Sequence, residues 1–554
     1  MKVERFVMAT SLGLALALVL LWLLGGGRLP VARATNITVQ TTTDGISGDH
    51  TCTLREAIIA ANTNVWVDSC APGGSDDYIG LGPFTYVLTV TGAGEDAGLT
   101  GDLDITATLT IEGAGPGQTI IDAGGIDRVF DVRETTGTVV ISGVTIMGGN
   151  VTGDGGGICN WAADLTLVNV EVISNNANGT GANGKGGGVY VLDGDVTLQG
   201  GKIISNAAGN DGGGIFVGDL VNLTFDGVQV ISNTAGDDGG GAYITGDGTL
   251  DGVQVISNTA SDNGGGAFVG GDVTLDRVQI RGNTADSGGG VYASTCDVTL
   301  NSGQIVSNTA RGFGNGGGMY VNGGSATLSG GEVVSNTAYA GGGVHIRTAS
   351  VVLAGAQIRG NSATVNGGGV NVAANGAFTQ TGGLLVHNTA GSGGGVYVEQ
   401  GCAVLSGGQI FANRANYGGG VSVVNSNASF SQVGGVIISN TASSWGGGVY
   451  VWQGSATLNG GQVISNTADD GGGLYVRDAL GSLSLVNTTV SGNAAGSDGG
   501  GLYVHDGTVA ITYTTVASNT AATGGGGIHW ISGTVTQRRD QLRRHADLER
   551  LQSR

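Results

Sequence analysis

A Gly-Gly-Gly tripeptide recurs fifteen times between Gly155 and Gly525, at intervals of 24 to 31 residues that average about 26. A period of this length points to a solenoid, in which each unit buries its apolar side only against its neighbours. One unit, GGGVYVWQGSATLNGGQVISNTA (Gly446–Ala468), holds three runs of strand formers, VYV, SATL and QVIS, separated by glycine or an Asn-Thr turn. Three short strands per unit without a helical period predict an all-β fold. Each strand would pair with its copy one turn away, giving a parallel β-helix roughly 70 Å long for fifteen turns.

Alignment of the units assigns faces. Three residues before the fourteen asparagines of the Ser-Asn pair or its equivalents (Asn175 to Asn519) the chain is aliphatic, as at Val172, Ile203, Val230, Ile280, Leu385, Val463 and Val516. One residue later it accepts Arg281, Arg359 and Ser491. Strand side chains alternate, so the first position points in and the second out. The strand after the glycines carries aliphatic first and third residues, as at Val189 and Val191. Its second position is usually aromatic: Tyr190, Phe216, Tyr243, Phe268, Tyr292, Tyr320, Tyr397, Tyr450, Tyr475 and Tyr503. Asn371 and Ser422 also occur there, which predicts an exposed aromatic row able to stack on sugar rings or dock a partner. Glycine, and Asn through its tolerance of the left-handed region, are expected to turn the corners. Stacked asparagines can also hydrogen-bond from turn to turn.

The chain has 554 residues, 112 of them glycine and four proline, with a net charge of −21. That much glycine without a three-residue period excludes collagen, and the regular aliphatic positions argue against disorder. Setting aside residues 1–34 (four basic, one acidic) and the last eighteen (six basic, three acidic) leaves 12 basic and 39 acidic residues, a net of −27. Such a body repels nucleic acid and anionic membrane surfaces, and its natural small partner is a divalent cation. Residues 1–34 read as a secretory signal: Lys2 and Arg5, an apolar run, then Ala32-Arg33-Ala34 as a cleavage site, with an uncleaved anchor as the alternative. No later stretch is apolar enough to span a membrane. Cys52 and Cys70 could pair outside the cell. Cys159, Cys296 and Cys402 lack metal-ligand spacing and read as packing or surface residues.

Residues 35–85 differ from the repeats and read as an N-terminal cap. In HTCTLREAIIAAN (His50–Asn62), Thr53 and Glu56 form a capping box, and Leu54, Ala57, Ile58 and Ala61 share a helical face. A short helix here would plug the open end of the first coil. Cys52-Thr53-Leu54-Arg55-Glu56-Ala57 resembles the CSLREA motif, with Thr for Ser. That resemblance implies a secreted bacterial protein with a right-handed parallel β-helix of the pectin-lyase-like type. Thr108–Val132 and Val139–Asn150 fit its first, less regular turns. The alternation of Gly-Gly-Gly-aliphatic with Ser-Asn is also similar to the repeats of chlamydial polymorphic outer-membrane proteins, although Gly and Ile or Val stand where those carry GGA and Phe. The solenoid is expected over 86–533. The basic stretch 534–554 is either a capping helix or an out-of-frame reading, and the chain leaves no room for an outer-membrane barrel.

Three features could carry function. Arg477-Asp478 and His505-Asp506 follow equivalent strands one turn apart, as do Asp193 and Asp219, and stacked carboxylates suit polysaccharide cleavage. The hydrolase signatures NTD and GHG are absent. A row of acids before the glycines, Asp211, Asp238, Asp262 and Asp286 with Asp154, Asp470 and Asp498, would take Ca²⁺ to relieve their repulsion, although no GGxGxD nonapeptide occurs. The aromatic row is the third. The favoured reading is a secreted or cell-surface structural or adhesive protein whose lateral face binds glycans or a neighbouring cell surface. Its alternatives are a polysaccharide lyase or glycoside hydrolase, and a passive stalk.

Overall fold

The computed structural model describes residues 35–133 and 137–538, so the signal-like segment 1–34 and most of the basic tail lie outside the described residues. From Asn150 on, nearly every turn of the chain returns to the same four strand positions. In the unit above these are Val449–Val451, Ser455–Asn459, Gln462–Ile464 and Thr467–Ala468. The first two belong to one wide sheet of 34 strands, the third to a sheet of 17, and the last to a narrow third sheet. All ladders between turns are parallel and keep like residues in line, as in Val449↔Leu474, Tyr450↔Tyr475 and Val451↔Val476. The result is a parallel β-solenoid of about 17 turns, or about 80 Å at the spacing of paired strands. Val449, Val451 and Val463 are at most 1% exposed and share one continuous core with their equivalents. Arg281 and Arg359 stay exposed on the outer side of their strands.

The corners differ from expectation in one respect. The residue with positive φ is the one before each asparagine, as at Ser465 (φ 56°), Ala412 (φ 53°) and His387 (φ 56°), and the asparagine itself does not turn the chain. It points inward instead. Asn466 is fully buried; its Nδ2 donates to Ile437 O (3.0 Å) and to Asn493 Oδ1 (3.0 Å). Its Oδ1 accepts from the backbone N–H (2.9 Å) and Nδ2 (3.0 Å) of Asn440. This pattern runs unbroken from Asn175 to Asn519. It satisfies buried polar groups that no water reaches.

The glycine tripeptide meets a different demand at each position. Gly446 has φ +68°, and a Cβ there would lie 2.7 Å from Val449 O and 2.8 Å from Tyr450 Cβ. A Cβ on Gly447 would strike Gly472 O and Thr467 O of its neighbours. Glycine therefore lets the chain double back directly against the strand that follows.

Both ends of the expected solenoid shift. Thr35–Thr38 pairs with Asp77–Gly80, which pairs with Leu109–Glu112, so the segment 35–85 already supplies turns of the wide sheet and no boundary falls at 85. Its residues Ile37 and Ile79 stack inward on Ile111, as the repeats do. Thr534–Arg538 likewise pairs with Thr508–Thr512, carrying the ladder five residues beyond 533 because its Thr-Val-Thr alternation matches Thr-Val-Ala. The N-terminal helix, α1 (Leu54–Thr63), has the reciprocal capping box between Thr53 and Glu56. It packs on Leu103–Ile105, where Asn62 Nδ2 donates to Asp104 O (2.7 Å) and Asn62 Oδ1 accepts from Thr106 N–H (2.9 Å). One side chain thus meets backbone groups of an edge strand. Cys52 and Cys70 form a disulfide with a Cα–Cα distance of 4.9 Å.

Candidate functional site

The predicted aromatic row exists as a row but is not exposed. Tyr190, Phe216, Tyr320, Tyr397, Tyr450, Tyr475 and Tyr503 are 2–8% exposed, and Tyr243, Phe268 and Tyr292 are half-buried. The rings point away from the core, as strand alternation requires, and are then covered by the returning glycine loops and by one another. Tyr190 through Tyr320 stack continuously at centroid distances of 4.6–5.3 Å, and His345 extends the stack at 4.6 Å. A second stack runs through Tyr475, Tyr503 and His529. Burial pushes the hydroxyls of Tyr190, Tyr243 and Tyr397 up to about 12 and the His345 imidazole down to about 4. Asn371 and Ser422, which suggested exposure, are themselves buried. They are tolerated because each has a polar partner: Asn371 Nδ2 lies 2.9 Å from His345 Nδ1, and Ser422 Oγ 3.0 Å from Ser392 Oγ. The row is cross-strand packing in which seven of the ten rings are buried and three are half-buried.

The row gains an exposed rim at one place. Opposite the small Ser422, Tyr417 and Trp445 reach in from the third sheet, and Trp445 lies 5.5 Å from the Tyr475 ring. Arg477 sits between two indoles, 4.5 Å from Trp445 and 5.2 Å from Trp452, with Nη1 donating to Tyr450 Oη (3.2 Å). Trp452 is 36% exposed.

The proposed catalytic stack is assembled in order but is otherwise engaged. His505 Nδ1 lies 3.2 Å from Arg477 O, which places the two pairs one turn apart. Asp478 accepts from Leu480 N–H (3.1 Å), and chiefly that bond holds its carboxyl below the usual range. Asp506 accepts from the adjacent Gly507 N–H. Asp193 and Asp219 are exposed.

The acid row before the glycines has a structural occupation. Asp238 Oδ1 accepts from the N–H (2.8 Å) and Nδ2 (3.0 Å) of Asn263 one turn on; Asp154, Asp211 and Asp470 receive equivalent backbone bonds. Burial still raises Asp238 to about 6. Asp211 converges with Asp237 and Asp238 and lies 3.6 Å from Lys185 Nζ. Asp262 and Asp286 are exposed, and Asp286 pairs with Arg311 at 3.3 Å. Of the four Ca²⁺ candidates, Asp211 and Asp238 converge with Asp237, while Asp262 and Asp286 are neighbours on adjacent turns, joined by Asp286 N–H donating to Asp262 O (2.8 Å).

The sequence did not single out one buried acid cluster. Asp102, Asp104 and Asp131 are 0–2% exposed beneath α1. Arg128 Nη1 donates to Asp102 (3.0 Å) and Asp131 (2.8 Å), and Arg133 Nη2 pairs with Asp131 (2.7 Å) and Asp96. Burial raises Asp102 to about 8 and Asp104 to about 7. A signal was available: Asp102 precedes and Asp104 centres the strand Leu103–Ile105, and Asp104 pairs with Asp131 at the centre of Phe130–Val132, which Arg128 and Arg133 flank in the sequence.

Comparison with known protein families, curated proteins and solved structures gives no match. Among the described residues, no helix is long and apolar enough to cross a membrane. Cys159 and Cys296 are buried and Cys402 is exposed, all unpaired; burial pushes the Cys159 thiol up, so it stays protonated.

Proposed function

We propose that this chain is a secreted or cell-surface β-solenoid that binds glycan on its lateral face. The observation that carries the reading is Arg477 held between Trp445 and Trp452 on an otherwise acidic rod. An indole face stacks on a sugar ring, and a guanidinium fork beside it receives a hydroxyl or carboxylate. The Cys52–Cys70 disulfide fits an oxidising compartment. So does the signal-like segment, and the likeness of Cys52–Ala57 to CSLREA favours a right-handed, pectin-lyase-like β-helix of bacterial origin, the hand that parallel crossovers adopt almost without exception. The site is adhesive rather than catalytic in this reading, because Asp478 and Asp506 are each engaged by a local backbone N–H, of Leu480 and Gly507. The test is to incubate the protein, with and without Ca²⁺, with a panel of acidic polysaccharides, and to follow binding together with new unsaturated or reducing ends. Binding without turnover is the expected result. Robust turnover makes the protein a lyase or hydrolase, and neither effect makes it a passive stalk.

A further inference from the structure

We propose that Asp96, Asp104 and Asp131 form a divalent-cation site, of the kind that takes Ca²⁺, where the helix-capped end meets the first turns of the solenoid. One carboxylate oxygen from each lies within 4.8 Å of the other two. The decisive atom is Asp104 Oδ1. Asp104 is fully buried, and its Oδ2 accepts from Gly98 N–H (2.7 Å), but Oδ1 has no hydrogen-bond partner. It faces Arg133 Nε across 4.0 Å, too far for a hydrogen bond, and that Nε is also buried without a partner. Arg133 is drawn aside by Asp131 and Asp96 and leaves the oxygen unsatisfied. Native proteins rarely bury a carboxylate oxygen in this way unless something completes it.

Charge gives the same answer independently. The ion pairs here join four carboxylates, Asp96, Asp102, Asp104 and Asp131, to two guanidiniums, Arg128 and Arg133. Were all four carboxylates ionised, the group would lack two positive charges, which one divalent ion would supply. An all-oxygen donor set of irregular geometry suits Ca²⁺ better than Mg²⁺, which demands a near-ideal octahedron. Asp96 is 63% exposed at the side chain and opens the site to solvent, and Arg133, 30% exposed and 5.5 Å from the Trp161 ring, is the cation the ion would displace. Neither Asp211 nor Asp238 belongs to this site.

Trp161 makes the proposal directly testable, because its Nε1 donates to Asp131 Oδ1 at 2.8 Å. Tb³⁺, a Ca²⁺ surrogate, should luminesce when tryptophan is excited in the chelator-treated full chain, saturably, and Ca²⁺ should displace it. Trp161→Phe should remove most of that emission while Ca²⁺ still raises the thermal midpoint. Asp96→Asn, at an exposed position that folding does not need, should weaken binding about tenfold or more. Arg133→Gln should tighten binding, since it removes the competing cation. The proposal is overturned if no saturable emission appears, if emission is indifferent to both Trp161→Phe and Asp96→Asn, or if folded Arg133→Gln fails to bind.

Discussion

Replacing Asn336 by alanine is expected to destabilise the solenoid by about 3–5 kcal/mol, because the damage falls on neighbours that cannot compensate. Asn336 Oδ1 accepts from Asn308 N–H (2.8 Å) and Nδ2 (3.0 Å), and its own Nδ2 donates to Ile305 O (2.9 Å) and Asn361 Oδ1 (3.0 Å). Truncation leaves two donors on Asn308 without an acceptor in a dry interior. Leucine, of similar volume, should not rescue it. In a structure where each turn contacts only its neighbours, the loss is local to an interface, so denaturation should resolve into two transitions. Asn519→Ala supplies the comparison: its Oδ1 accepts from Asn493 N–H (2.9 Å) and Nδ2 (3.0 Å) as in the rest of the ladder, but Asn519 is only partly buried, so water can reach the groups left behind, and its Nδ2 donates to Val490 O with no further asparagine beyond it among the described residues. Its effect should be markedly smaller. Asn336→Asp sharpens the argument through pH. The new carboxylate would place Oδ2 against Ile305 O and Asn361 Oδ1, and burial would raise its pKa above the unfolded value. A raised acid is penalised when ionised, so the variant should be least stable near pH 7 and recover as pH falls toward the unfolded carboxylate range. A loss at Asn336 within the range of an ordinary surface substitution, about 0.5 kcal/mol, would show that the ladder is decorative.

Arg55→Ala should be the second severe lesion, at about 3–5 kcal/mol for leaving a buried partner uncompensated, and it should act on the capped end only. Arg55 is 1% exposed. Its Nε and Nη2 hold both oxygens of Asp44 (2.8 and 3.2 Å), and Nη1 and Nη2 reach the carbonyls of Gly98 (3.0 Å), Gly101 and Asp102 (both 2.8 Å). Lysine cannot supply so many donors in one plane, so Arg55→Lys should recover only part of the loss. Burial alone would raise Asp44, but the Arg55 bonds and the N–H groups of Val90 and Thr89 outweigh it and lower its pKa. The stability this carboxylate lends is therefore complete above its unfolded pKa and is lost as pH falls through the lowered folded value. Limited proteolysis should show early cleavage within residues 89–101 in Arg55→Ala while the later turns stay protected. Protection equal to wild type would remove Arg55 from its role.

The sequence made the solenoid legible because its signals repeat. Fourteen asparagines and fifteen glycine tripeptides give the same reading at each turn, and Val449, Val451 and Val463 could be placed inward by comparison alone. Exposure was not legible in the same way. Alternation says that Tyr450 points away from the core, but not that a loop folds back over it; Gly446, whose φ of +68° brings the chain against Tyr450, holds that information. Asparagine has two uses, in turns and in buried ladders, and composition does not separate them. The acid group around Asp104 was missed because its members come from the irregular segment 96–133, where no repeat exposes a pattern. Arg477 was visible as a polar residue after a strand, but its two indoles come from Trp445 before that strand's neighbour and Trp452 after it, a pairing that only stacked turns create.

The most direct test of the proposed function is titration of the full chain with acidic oligosaccharides by calorimetry, comparing wild type with Trp452→Ala and Arg477→Gln. Both substitutions lie at or near the surface and should leave the thermal midpoint nearly unchanged. Tyr450→Ser, Tyr475→Ser and Tyr503→Ser are poor probes, since those rings are packed and their loss would disturb the fold. The account predicts saturable binding that each surface variant weakens about tenfold or more, the loss of a stacking or cation–π contact. Binding of unchanged strength in both variants would contradict it.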